Sequence, residues 1–358
     1  MSTITRKAVF AGLASLGTIA LLAGCASAPA TDTASAGASD FIPCMVSDAG
    51  GFDDKSFNQS GYEGLNAAAA TLGVTPIEVE SATETDFAPN IQSLVDQGCN
   101  IVTTVGFLLA DATAAAAEAN PDINFAIIDD SSIMADNVKP IVFDTAQAAF
   151  LAGYAAASYS TTGVVGTFGG MQIPPVTIFM DGFVDGVAYF NAQKSASVKV
   201  VGWDVASQTG SFTGGFAAGV EAKTAAQGLI DQNADVIFPV GGPIFLSAAE
   251  AIKDSAKPIV MIGVDADAYL TAPDIGSLFL TSVLKQVGVG VSDATLAAAN
   301  GTFNNTPFVG TLANDGVGLA PFHDFASMVN PDLQSELDAI KAGIIDGSIM
   351  VESPSSPK

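Results

Sequence analysis

The chain has 358 residues, 49% hydrophobic and only 14% charged, which is material for about two cored domains and too apolar for a disordered chain. Its 37 Asp and Glu outnumber 12 Lys and Arg, for a formal net charge of −25, and that excludes a nucleic-acid surface or a polybasic membrane patch. Arg6 is the only Arg and His323 the only His, which excludes a His metal cluster and any triad not built on His323.

Residues 1–24 are expected to be an export signal. Arg6 and Lys7 precede an apolar run, residues 9–23, shorter than the roughly 20 residues of a comfortable membrane span. The run ends in Leu22-Ala23-Gly24-Cys25, which resembles the lipobox of bacterial lipoproteins. There, small side chains fit a peptidase groove and the thiol, here Cys25, takes a diacylglyceryl group. The plainer alternative is a secretory signal with an incidental Cys. Residues 25–39 are small and polar, without a periodic apolar face, and read as a flexible tether. No later stretch reads as a transmembrane helix. The body is therefore expected on the extracytoplasmic face of the cell membrane, held by lipid.

From residue 40, strands and helices alternate. β-branched runs predict strands at 43–47, 75–80, 101–105, 125–129 and 138–143, and Ala-rich stretches predict helices at 60–72, 90–97 and 109–119. Cys44 and Cys99 stand at the starts of two strands expected to be neighbours. A disulfide between them and two buried free thiols are both open. The pattern then restarts, with helices at 145–158, 179–193, 215–232 and 246–255 and strands at 163–168, 199–203, 235–240 and 258–264. A strand at 278–284, a helix at 287–299, a Gly- and Asn-rich stretch at 301–318 and a helix at 331–342 end the chain. Alternation predicts an α/β protein with parallel sheets. The last part is too short for a third domain and should return to complete the first two. The expected division is 40–145 with 276–305 as the N-terminal lobe, and 146–275 with 306–358 as the C-terminal lobe.

Ligands of open parallel sheets bind beyond the carboxyl ends of the strands, so the loops there are the informative ones. After the first strand, Gly50-Gly51 allow a tight turn, and Phe57 stands just before a helix. The plain alternative has Phe57 packed under the loop with Ser56 or Asn58 as helix cap. Gly288 and Gly290 begin a GxG without the third Gly of a dinucleotide motif. His323 is expected to pack or hydrogen-bond at the lobe junction.

DAGGFDDKSFNQSGYEGL (48–65) resembles the signature of the basic membrane protein family of bacterial lipoproteins, which includes purine-nucleoside receptors of ABC importers. TVGFLLAD (104–111), FAIIDD (125–130), GTFGGMQIP (166–174), DVIFPVGG (235–242), IGVDAD (262–267), TSVLK (281–285) and GTLANDGVGLAPF (310–322) follow in the family's order. The resemblance spans residues 42–325. It implies a type I periplasmic-binding-protein fold: two Rossmann-like lobes with parallel sheets and a nucleoside held in the cleft between them. It suggests Phe57 as one aromatic face, with Asp48, Asn58 and Asp129 as polar contacts. Asp265 would bind ribose hydroxyls, and Lys285 would be a cleft lysine. Phe238 is the choice for the second aromatic face, with Phe245 and Trp203 behind it, and Gly241 and Gly242 offer backbone contacts. The sequence departs from the family pattern after Gly242, reading Pro243-Ile244-Phe245 where more glycine is usual.

The chemistry suits that ligand. Aromatic faces stack on any base, at roughly 1–3 kcal/mol each, and carboxylates accept hydrogen bonds from vicinal ribose hydroxyls. An Asp-rich site with one lysine disfavours phosphates. Asp129 as a helix cap, Lys285 paired to a structural Asp, and Asp265 with Asp267 serving only a turn are the plain alternatives. The implied protein is a monomeric receptor without cofactor, metal or reaction. It would depend on separate ABC permease and ATPase subunits, since the chain has no GxxxxGK[ST] motif. A surface lipoprotein that senses another solute, such as a sugar, is the alternative. A nucleoside hydrolase is disfavoured because Asp48, Asp53 and Asp54 lack EF-hand spacing and no GxSxG or HExxH occurs.

Overall fold

The computed structural model describes residues 40–357, so the expected signal, lipidated Cys25 and tether lie outside the described residues. The first elements follow the periodicity: β1 (Pro43–Val46), α1 (Phe57–Leu72), β2 (Ile77–Val79), α2 (Phe87–Asp96), β3 (Ile101–Val105), α3 (Ala110–Ala119), β4 (Asn124–Ile128) and β5 (Val138–Phe143). These strands are parallel, in the order β5-β4-β3-β1-β2. Along β4, Ala126 and Ile128 enter one core while Phe125 and Ile127 enter another. That is the period of two, with both faces buried as parallel sheets require. Cys44 and Cys99 are bridged, with Cα atoms 6.0 Å apart. The bridge ties β1 to the residues before β3, at the amino end of the sheet.

The chain then builds α4 (Thr145–Tyr159), β6 (Val164–Gly169), α5 (Pro174–Lys194), β7 (Lys199–Val201), a hairpin of β8 (Trp203–Asp204) and β9 (Thr209–Gly210), α6 (Val220–Asp231), β10 (Val236–Val240), α7 (Ile244–Ser255), β11 (Val260–Asp265), α8 (Ala268–Thr271) and β12 (Phe279–Lys285). It ends with α9 (Val287–Ala299), β13 (Phe308–Gly310), β14 (Val317–Leu319) and α10 (Leu333–Asp346). The second sheet has the order β14-β12-β11-β10-β6-β7, and β13 completes the first beside β5. The two sheets thus share one strand order.

The lobe boundaries differ from those expected at 276 and 306. β12 pairs with β11 in the second sheet. α9 returns to pack on α1, and β13 joins β5 in the first sheet. β14 goes back to lie antiparallel to β12. Buried apolar runs look alike in both sheets, and only long-range pairing decides where each belongs. No helix among the described residues is long and apolar enough to cross a membrane.

Candidate binding cleft

In both sheets, residues at the carboxyl ends of strands face one cleft. From the first lobe it is lined by Asp48 after β1, Phe57 at the start of α1, Gly106 and Phe107 after β3, and Asp129 after β4. From the second lobe come Gly241 and Gly242 after β10, Asp265 at the end of β11 and Lys285 at the end of β12. The empty volume is about 550 Å³, the part open to solvent included. β4 and β11 hold equivalent positions in the two sheets, and the backbone shows it. Asp129 and Asp265 both sit in the left-handed region, at φ 69° and 66°, which Asp tolerates better than most residues. Gly106 and Gly241, after the matching strands β3 and β10, have φ of 120° and 136°, where a side chain would be strained.

The loop before α1 is organised by Asp54. Its Oδ1 accepts the N–H of Ser56 at 2.9 Å and of Gln59 at 3.1 Å, and its Oδ2 accepts that of Asn58 at 2.8 Å. Asp54 thereby satisfies the helix start in place of Ser56 or Asn58. The Ser56 hydroxyl is free to reach across the cleft, 3.0 Å from both Asp265 Oδ2 and the Val264 carbonyl. Asn58 is buried and does not line the cleft. Its Nδ2 donates to Asp48 Oδ1 at 2.7 Å, so it orients Asp48. Thr271 Oγ1 donates to the Lys55 carbonyl at 2.7 Å, a second contact between lobes.

Three carboxyl groups and one amine share this dry space. Lys285 Nζ is 2.5 Å from Asp129 Oδ2, with both side chains buried. It also lies 4.7 Å from the centre of the Phe57 ring. Burial pushes Asp48 up to about 6, against the hydrogen bonds from Asn58 and the Gly50 N–H. Burial likewise pushes Asp265 up to about 6, with Lys285 pulling it back. Asp129 is raised by burial and drawn down by Lys285. The lone cation is paired, and the carboxyls beside it lack the solvation that a charge needs. Such groups gain from any ligand that donates hydrogen bonds.

Phe238 does not line the cleft. It is the third of five residues of β10, fully buried, with its ring 5.1 Å from Phe183 and 6.3 Å from Phe179. Phe245 packs on Phe279 and Trp203 on Phe212. The second lobe's rings in the cleft are Phe179 and Phe216. Phe216 stands in a loop where helix was expected, because α6 starts only at Val220. Its ring lies on two glycines: a Cβ would come within 2.4 Å of it at Gly170 and 2.7 Å at Gly241. The run Phe212-Thr213-Gly214-Gly215-Phe216, an aromatic in a glycine turn, is the signal that could have found it. His323 also lies apart from the cleft. Its Nε2 is 2.7 Å from Asp267 Oδ2, and its ring stacks on Tyr269.

The profile of the family described as ABC transporter substrate-binding protein PnrA-like matches residues 41–354. The ABC transporter nucleoside-binding protein BmpA of Lactococcus lactis subsp. cremoris is 31% identical over 369 residues, covering 97% of this chain and 99% of that relative. Basic membrane protein A of Borreliella burgdorferi is 29% identical, covering 85% and 86%. Among solved structures, an ABC transporter system solute-binding protein from Aeropyrum pernix K1 superposes with a TM-score of 0.78 at 24% identity, covering 88% of this chain and 94% of that one. The arabinose-binding protein AraP of Geobacillus stearothermophilus shares the fold at a TM-score of 0.59 and 13% identity, covering 81% and 99%.

Proposed function

The chain belongs to the PnrA-like family of ABC transporter substrate-binding proteins, and on that premise we propose that it is a lipid-anchored receptor for nucleosides, purine nucleosides foremost. It captures its ligand between the lobes, performs no reaction, and delivers the ligand to an ABC permease with its ATPase. The observation that carries the reading is the composition of the cleft. Phe57 comes from one lobe and Phe216 from the other, beside three buried or part-buried carboxyls whose only cation is already paired. Flat rings suit a base, and under-solvated carboxyls suit the hydroxyls of a ribose. A phosphate would meet Asp48, Asp129 and Asp265 and find no free cation among these lining residues. The L. lactis relative is itself described as nucleoside-binding. Cys25 supplies the anchor, and the body stays outside the membrane.

The test is thermal unfolding of the chain from residue 26 onward, refolded to strip bound ligand, against nucleosides, free bases, ribose and other sugars. A ligand that binds only the folded state stabilises it by about 2.7 kcal/mol at 100 times its Kd. Purine nucleosides should raise the midpoint while their bases and ribose do not. A shift with sugars alone would overturn the nucleoside reading and leave the fold. Mass analysis of the mature N-terminus tests the anchor, with a diacylglyceryl group on Cys25 as the expected result.

A further inference from the structure

We infer that the C-terminal tail, residues 351–357, is a strap that ties the second lobe to the crossover between lobes and closes one side of the ligand cleft. The ligand half of this inference rests on the receptor reading; the strap itself does not. After α10, Gly347 turns the chain at φ 80°, and Ile349 and Val351 pack against the core. Three hydroxyls then fix the rest. Ser353 Oγ donates to Asp181 Oδ2 at 2.6 Å, and Ser355 Oγ shares a hydrogen bond of 2.8 Å with Thr177 Oγ1. Both partners lie on α5 of the second lobe. Ser356 Oγ donates to Asp144 Oδ1 at 2.9 Å. Asp144 is the residue between β5 and α4, and its own N–H donates to the carbonyl of Gly310 in β13 of the first lobe.

Pro354 and Pro357 restrict the backbone between these points. Residues 354–357 wall a chamber that shares Phe107, Asp129, Pro175 and Lys285 with the cleft. The tail is therefore the outer wall on the side where the Asp129–Lys285 pair lies. Irregular chain held by a few side-chain hydrogen bonds belongs to the low end of local stability. It can detach and re-form without unfolding either lobe, and ligand exchange through this side would require that it does.

The molecule contains a reporter. Asp181 Oδ1 accepts the indole N–H of Trp203 at 2.8 Å, opposite the oxygen that Ser353 holds, and Trp203 is the only Trp. The experiment compares the intact chain with one ending at Glu352 and with the Ser353→Ala/Ser356→Ala variant. Both keep α10 and Val351, and circular dichroism checks that they are folded. Without ligand, the shortened chain should show a changed Trp203 emission. Its hydrogen–deuterium exchange should be faster at residues 129–132 and 144–147. With guanosine and adenosine as probes, dissociation should be roughly tenfold faster in the shortened chain and less so in the double variant. Unchanged exchange at both segments together with unchanged dissociation would overturn the strap. If the intact chain binds neither nucleoside, the nucleoside reading fails by itself, and exchange with Trp203 emission still decides the strap.

Discussion

Phe57, Phe216 and Phe238 are the same residue type in three surroundings, so the same substitution should do different things. Phe57 and Phe216 line the cleft and are only part-buried. If the proposed nucleoside ligand is bound there, Phe57→Ala and Phe216→Ala should each weaken its binding by about 1–3 kcal/mol, roughly 5- to 150-fold in Kd, with a near-normal melting midpoint. Phe238→Ala opens a hole in a packed core and should instead cost about 3–5 kcal/mol of stability. Titration calorimetry beside thermal melts separates the two classes. Asp265 allows a second test. Its folded-state value, about 6, lies above the ordinary 3.8, so the folded protein holds that proton more tightly than the unfolded chain. Stability from this group is therefore full at low pH and is lost as pH rises from about 4 through 6. Asp48 and Asp185, also raised to about 6 by burial, act in the same direction. The ligand-free melting midpoint should fall over that range. Asp265→Asn keeps a residue that tolerates the left-handed backbone. It should flatten part of the slope and raise the midpoint at neutral pH while weakening ligand binding. A lower midpoint in the variant at neutral pH would contradict the assigned burial cost.

Element by element, the sequence was legible where a local period sufficed. The alternation of strand and helix, the helix at 287–299 and the loop that carries Asp48 and Phe57 all came from local pattern or motif. The sequence leaves the disulfide open because two thiols near strand starts do not say which way their Cβ atoms point. The lobe assignment of β12 and β13 is not local information, because pairing between distant segments decides it. The Phe238 choice failed on the rule that ligands lie beyond strand ends: a residue in mid-strand faces a core, whereas Phe216 lies in a loop. Also hidden was how closely α4 and α5 approach. A Cβ on Gly182 would lie 2.2 Å from the Ala146 carbonyl oxygen, and one on Gly186 would lie 2.0 Å from that of Phe150. Gly186→Ala should force these helices apart and lower the midpoint, although alanine is the better helix former. The disulfide gives the complementary case. Cys44→Ala/Cys99→Ala removes a link spanning 55 positions, worth about 2–4 kcal/mol. It lies at the sheet end away from the cleft, so ligand affinity should hold while the midpoint drops.

The two lobes meet through groups that would rather be wet. Asp129 belongs to the first lobe and Lys285 to the second, and their ion pair crosses the cleft in a dry setting. Breaking one side of such a pair is costly because the remaining charge stays buried, whereas removing both sides is often tolerated. Lys285→Met would leave Asp129 facing Asp265 with no cation between them. At neutral pH the cheapest response is for the lobes to swing apart and hydrate both carboxyls, a hinge motion that needs no unfolding. Small-angle scattering of ligand-free Lys285→Met should therefore give a larger radius of gyration than wild type at neutral pH. Acid should reverse this. Both carboxyls already titrate above their ordinary value with Lys285 present, and without it they lose the charge that draws them down. On acidification they would take up protons more readily than with Lys285 in place, and the variant should contract toward wild type. Asp129→Asn/Lys285→Met removes both members of the pair and should stay compact at neutral pH. If Lys285→Met scatters like wild type at both pH values, the lobes are held by other contacts and the cleft pair is not what sets their separation.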